Sequence, residues 1–287
     1  IIIDGFIIDA KGGNGGIGTG VASHHIRILN GEVMNALQSG IDAHKDSSAF
    51  EFINLRIHHN GRSGYHHGLY LSTSNHLVQD CDIFQNSGWG VHIYSGSGNR
   101  PSNNRIVNNK VHDNATSGKG IEIGIYNGTG NSVINNLVRS TQTGIHIDYG
   151  ASQTKVYNNS IYKGNYGILV GADSSDTNIF NNIISSAVTF GLYVYQNSKN
   201  SQIKNNLIYK SGANNILDKA TTTTLSKNLE GNIYNPQFQN PDNLDFHLQS
   251  GSPAIDAGLG ISEVSKDFEY NSRPKGSSHD IGAYERS

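Results

Sequence analysis

The chain has 287 residues, of which 34 are Gly and only 5 Pro, with 15% charged and 35% apolar side chains and a formal net charge of -2. That balance offers no basic stripe for a nucleic-acid partner, and no apolar run approaches membrane-spanning length. The single cysteine, Cys81, excludes an intrachain disulfide and is expected as a buried core thiol.

The N-terminal IIIDGFIID already follows a strand pattern, with no signal peptide visible. A solenoid needs a cap at its edge, so residues upstream of Ile1 are expected to have been removed. Next come ILNGEV (28–33), FINLRI (52–57) and VQDCDI (78–83), which alternate apolar and polar residues. The same pattern sharpens into an aliphatic pair around Asn-Asn in IVNNKV (106–111), VINNLV (133–138), VYNNSI (156–161), IFNNII (179–184) and IKNNLI (203–208). The first Asn falls at Asn108, Asn135, Asn158, Asn181 and Asn205, a step of roughly 23 to 27 residues that belongs to solenoids. A second marker, Gly-aliphatic-x-aliphatic, recurs as GIDA at 40, GLYL at 68, GVHI at 90, GIEI at 120, GIHI at 144, GILV at 167 and GLYV at 191.

Alternation over four to six residues marks short half-buried strands, and no window shows the spacing of a long amphipathic helix. Each period reads as two or three strands whose aliphatic side chains are buried only by stacking on the next copy. The expected fold is all-β, a single-stranded parallel β-helix of about nine to ten coils. Asn suits its corners because it tolerates left-handed backbone angles and its amide bonds to backbone or to the Asn one coil on, forming a ladder. The slot after the first Asn also holds Leu55 and Cys81, so it is expected to face inward. The row Leu29, Ile53, Val107, Ile134, Tyr157 and Phe180 is expected to be an apolar outer face covered by another segment. His58 and His112 are expected as surface aromatics, and His24, His25 and His76 as structural loop residues.

The repeat fades after Tyr209. Residues 1–210 are assigned to the β-helix and 211–287 to the last coil or coils and a C-terminal capping tail of the same domain, expected to fold back over the last coil. The whole chain, with the ending FHLQSGSPAIDAG and RPKGSSHDIGAYE, resembles bacterial right-handed parallel β-helix repeat proteins, among them polysaccharide lyases, glycoside hydrolases and uronate epimerases. SGIDAHKDS (39–47) followed by HHGLYLS (66–72) is similar to the Asp-Pro-His segment and next coil of mannuronan C5-epimerases. Ala43 replaces the usual Pro, and Ser39 stands where one group carries Tyr. The resemblance implies a right-handed coil, a secreted or periplasmic location, and Asp42 and His44 as catalytic candidates.

The residues point to the same face. Aligned on the second marker, the outward x positions are Asp42, Tyr70, His92, Glu122, His146, Leu169 and Tyr193. Two residues further on come His44, Ser72, Tyr94, Gly124, Asp148, Gly171 and Tyr195. With coils about 4.8 Å apart these form a strip of acids, imidazoles and phenols roughly 20 Å long. Insertions at NGRSGYHH (60–67) and SGSGNRPSNN (95–104) are expected to wall it, bringing Arg62, Tyr65, His66, His67 and Arg100, with Lys119 before the next strand.

Cleaving a uronate polysaccharide by β-elimination requires neutralising the carboxylate, removing the C5 proton and protonating the leaving oxygen; C5 epimerisation shares the first two steps. Asp42, His44, Tyr70, His92, Glu122 and His146 are the catalytic candidates, with His92 and Tyr70 as the proton-transfer pair. Arg62, His66, His67, Tyr94, Arg100, Lys119 and Asp148 are the substrate-binding candidates. One alternative is a glycoside hydrolase with Glu122 as the acid and Asp42 or Asp148 as its partner; another is a noncatalytic carbohydrate-binding or adhesive solenoid. The residues specify no cofactor and leave Ca²⁺ open, although the spacing matches no closed metal signature. The expected partner is the polysaccharide alone, and the expected state a monomer.

Overall fold

The computed structural model describes residues 1–44, 46–96, 98–118 and 120–286, and these form a parallel β-solenoid. One nine-stranded parallel sheet runs its length through Ile17–Gly18, Ile41–Ala43, Leu69–Leu71, Val91–Ile93, Ile121–Tyr126, Thr143–Asp148, Tyr166–Val170, Phe190–Val194 and Asn214–Asp218. Each coil contributes one strand, which gives nine coils. The remaining faces share an eighteen-stranded sheet. Among the described residues the one helical turn is Pro241–Asn243.

The expected work of Asn is divided between the two members of each pair. The first makes the corner: Asn108, Asn135, Asn158, Asn181 and Asn205 have φ between 52° and 57°, a left-handed conformation that Asn adopts at lower cost than other side chains. It thereby separates strands such as Arg105–Val107 and Lys110–His112. The second turns inward and forms the ladder. Nδ2 of Asn109, Asn136, Asn159, Asn182 and Asn206 donates to Oδ1 of the Asn one coil on, ending at Asn228, at 2.9 to 3.0 Å. Each buried amide also bonds to backbone, as in Asn159 Nδ2 to Val133 O at 2.9 Å, so its polarity is satisfied inside the core. Leu55 and Cys81 fill the same inward slot in earlier coils.

In-register pairing stacks like on like: Ile106 on Val133, Val133 on Val156, Val156 on Ile179 and Ile179 on Ile203, all fully buried. His58 and His112 differ from the surface rings expected of them. They stack on Phe84 at 4.6 and 5.3 Å and bond to Glu32 and Asp82. His76 is buried and accepts the Phe50 amide at 3.1 Å.

The tail reaches far beyond the last coil. It runs back along the corner row, where Asn205, Asn181, Asn158 and Asn135 donate to the carbonyls of Ala257, Leu259, Gly282 and Lys266 at 3.0, 2.8, 3.2 and 2.8 Å. Tyr270 extends this contact to Asp80. Val264 and Ile261 cover Val107, Ile134, Tyr157 and Phe180, the row expected to need a cover. A fully buried Arg273–Glu285 ion pair, 2.6 Å apart, holds the tail together. Asn159→Leu should therefore strip two bonds from Asn136, at its amide and its side chain. The expected cost is about 3 kcal/mol, read as a lower denaturation midpoint with an unchanged slope.

Candidate active site

Strand pairing places Asp42 beside Tyr70 and Tyr70 beside His92, as the alignment expected. His92, however, pairs with Gly124, and Gly124 with His146. Glu122 therefore occupies the slot that Gly90 and Gly144 fill in the adjacent coils. Gly120 instead packs against Ala115 so closely that an added Cβ would lie 1.8 Å from the alanine's. The strand still begins at Ile121, but it pairs with its neighbours two residues out of step with the marker.

This corrects the expectation for Glu122. Its side chain points inward, 2% exposed, and Oε2 accepts from Asn114 Nδ2 at 2.7 Å. It ends a second ladder in which Asn60 donates to Asn86 at 3.0 Å and Asn86 to Asn114 at 2.9 Å. Burial pushes its carboxyl up to about 8, so it is protonated at neutral pH and takes no place in the groove. The hydrolase pairings of Glu122 with Asp42 or Asp148 fall with it.

The groove is a cleft of about 840 Å³ lined by Ser63, Gly64, Tyr65, His67, Trp89, His92, Tyr94, Ser117, Gly118, Tyr126 and Tyr149. The 60–67 insertion forms one wall together with the loop at Ser117, whose amide and hydroxyl both bond to Ser87 O. Trp89 lies over Gly124, where an added Cβ would come 2.5 Å from its ring. The vacancy that Gly124 leaves in the column is thus filled by indole.

Two proton-holding arrangements flank Trp89. On one side its backbone N–H donates to His67 Nδ1 at 3.0 Å, which fixes the His67 proton on Nε2. That nitrogen faces His92 Nδ1 at 3.0 Å and so donates to it, leaving the His92 proton on Nε2, which has no partner among the described residues. Burial, with His66 adding to it, pushes His67 down to about 3, and burial with His67 and His146 lowers His92 strongly. Both rings are neutral. On the other side the Tyr126 hydroxyl meets His146 Nδ1 at 2.9 Å, and an Asp148 carboxylate oxygen lies 3.3 Å from His146 Nε2. Burial, then Asp148 and Tyr149, raise Tyr126.

An adjoining recess of about 410 Å³ shares Tyr65 with the cleft and is lined also by Ser39, Asp42, His66 and Tyr70. Asp42 is exposed on its strand, yet the side chains crowded around it raise its carboxyl. Burial raises Tyr70, with Asp42 and Tyr94 adding to the effect. The His44 amide donates to Thr19 Oγ1 at 2.7 Å. Arg62 is exposed and lines neither recess. Arg100 spends its guanidinium on Gly150 O at 2.6 Å and does not itself line the cleft. Lys119 lies outside the described residues. Among the described residues no group of three or more His, Cys, Asp or Glu is arranged to hold a metal, and no helix is long and apolar enough to cross a membrane.

Sequence reasoning missed Trp89, Tyr126 and Tyr149. Tyr126 was within reach: VHIY (91–94) and IGIY (123–126) share the final Tyr and pair residue for residue through Ile125.

The family model described as "Right handed beta helix region" matches residues 7–161 and 102–229. The chain belongs to this right-handed β-helix family. Among solved structures it is similar to pectate lyase Pel9A, with a TM-score of 0.64 and 16% identity over 100% of this chain and 88% of that one. It is also similar to the Azotobacter vinelandii mannuronan C-5 epimerase AlgE4 A-module, with a TM-score of 0.58 and 14% identity over 73% and 60%. The periplasmic alginate epimerase AlgG gives 0.54 and 14% over 71% and 50%. The chain thus spans one half to three fifths of the epimerase chains. No curated protein matches in sequence.

Two measurements test the site. An ionised Glu122 is disfavoured in the fold, so as pH rises from the ordinary 4.5 toward about 8 the unfolded chain releases a proton that the folded one keeps. Stability falls across that window by roughly 3 to 5 kcal/mol, and Glu122→Gln should flatten this loss in denaturation curves taken from pH 5 to 8. In ¹⁵N spectra the His92 ring should show the Nε2–H form alone, while His67→Leu should admit the other tautomer. A mixed His92 in the unaltered protein would contradict the hydrogen-bond assignment.

Proposed function

We propose that this protein acts on a uronate-containing polysaccharide by β-elimination or C5 epimerisation. The observation that carries this reading is the order Tyr70, His92, Tyr126 on the cleft side of the sheet. Two phenols flank a neutral imidazole, with ring centroids 5.3 and 5.4 Å from it. Both reactions take the C5 proton and build negative charge on the uronate carboxylate, so they need a base, a hydrogen-bond donor aimed at that charge, and a second proton source.

Tyr126 suits the base role because its proton has an acceptor in His146 Nδ1. As the phenol oxygen takes the C5 proton, its own proton passes to His146, and Asp148 stabilises the imidazolium that forms. His92 Nε2–H is a donor for the carboxylate as its charge grows. Tyr70, whose raised pKa keeps it protonated, gives its proton to the leaving oxygen in elimination, or to C5 from the opposite face in epimerisation. Asp42 and His44 border the neighbouring sugar. A location outside the cytoplasm is part of this proposal, as in the periplasmic AlgG.

The geometry argues against hydrolysis. With Glu122 inside, Asp42 and Asp148 are the acids left on this face. Four strand steps, about 19 Å, separate their coils, roughly twice the widest spacing of a hydrolytic pair.

The test is incubation with polygalacturonate, alginate and neutral glycans. Elimination is read as absorbance from the new C4–C5 double bond, and epimerisation as C5 inversion by NMR. Tyr126→Phe and Tyr70→Phe should each lower kcat on the active uronan by about 100-fold or more with the fold intact. Hydrolysis of a neutral glycan, no conversion of any uronan, or full activity in both variants would overturn the proposal.

A further inference from the structure

Beyond the cleft, the same sheet carries a second group of rings that the fold does not consume. Tyr193 follows His146 and Leu169 in the outward column, two coils or about 10 Å beyond His146. It stacks on Tyr195 at 4.5 Å, meets Phe190 at 5.2 Å and lies 6.5 Å from Tyr166. Tyr195 is 40% exposed. Lys219, itself exposed, holds Nζ 5.8 Å from the Tyr193 centroid and forms no ion pair among the described residues. The cleft and its adjoining recess, by contrast, have no Arg or Lys among their described lining residues.

Gly171 stands between Asp148 and Tyr195 in the second column, and the Asp148 carboxyl leans so far over it that an added Cβ would lie 2.3 Å away. The space above Gly171 is thus taken by that carboxyl, and Gly171 itself adds no side chain. Leu169, the corresponding residue in the first column, is buried.

We infer that Tyr193, Tyr195 and Lys219 form a distal subsite for the same acidic glycan. The pyranose faces stack on the phenol rings, and Lys219 pairs with a uronate carboxylate. The inference rests on the proposed uronate substrate and deepens it, since it supplies a cation for a second uronate further along the same face. A long chain engages the cleft and the tract together; a short one engages the cleft alone.

The experiment uses the full chain with galacturonate and mannuronate oligomers of increasing length, and with the same oligomers after carboxyl reduction. Tyr195→Ala should weaken binding of the long oligomers about 5- to 20-fold, the size of one or two stacking or cation contacts. It should raise KM without changing kcat and leave trimers unaffected. Lys219→Met should lose affinity only for the charged oligomers. Equal effects at every length, no effect at any length, or tighter binding of the reduced oligomers would overturn the subsite, as would failure of every uronate oligomer to bind. Length-dependent losses in a protein that converts no uronan would sink the reaction proposed above and leave the subsite standing. Conversion of uronans by variants identical to the unaltered protein would do the reverse.

Discussion

The molecule depends on one constraint: each coil must lie in register on the next, so that every slot of the repeat meets its own kind above and below. Inward slots tolerate only two solutions. One is aliphatic and gains by leaving water; the other is an amide whose donors and acceptor are met by its neighbours, as Asn109 through Asn228 show. A misplaced buried amide would cost the desolvation that the ladder now offsets. Register is therefore held tightly, and outward residues inherit it as columns.

The same constraint gives the corner Asn residues a second use. In the left-handed conformation their amides point away from the core, and in Asn135, Asn158, Asn181 and Asn205 they seize the backbone of the tail. Earlier corners behave differently. Asn54 donates to Asn30 and Asn30 to Asp4 at 2.7 and 2.8 Å on an exposed edge. One residue type in one conformation thus serves as a docking rail where the tail passes and as an exposed chain of amides where it does not.

Within the site, chemical type matters less than partner. Glu122 and Asp148 are both carboxylic acids a coil apart in sequence, but one is sealed at the end of an amide ladder and the other stands beside an imidazole. His92 and His146 are both imidazoles of one column. Burial holds the first neutral and a backbone N–H acting through His67 fixes its tautomer, whereas the second has a phenol at one nitrogen and a carboxylate near the other. Trp89, seated over Gly124, separates the two arrangements.

The period, the strand pattern and the inward aliphatic rows were legible along the chain because they are local: alternation and the Asn pair repeat where the backbone needs them. So was the column from Asp42 through Tyr70 to His92, where each coil opens on its glycine. The register of Glu122 was not, because Gly120 wears the same marker for a different reason, a tight approach to Ala115, and only pairing with the neighbouring coils decides which residue meets Gly90 and Gly144. The tail's path and the His67–His92 tautomer were equally hidden. Both depend on backbone groups, the carbonyls at 257–282 and the amide of Trp89, whose directions no side-chain pattern records and which acquire their partners only once the coils have stacked.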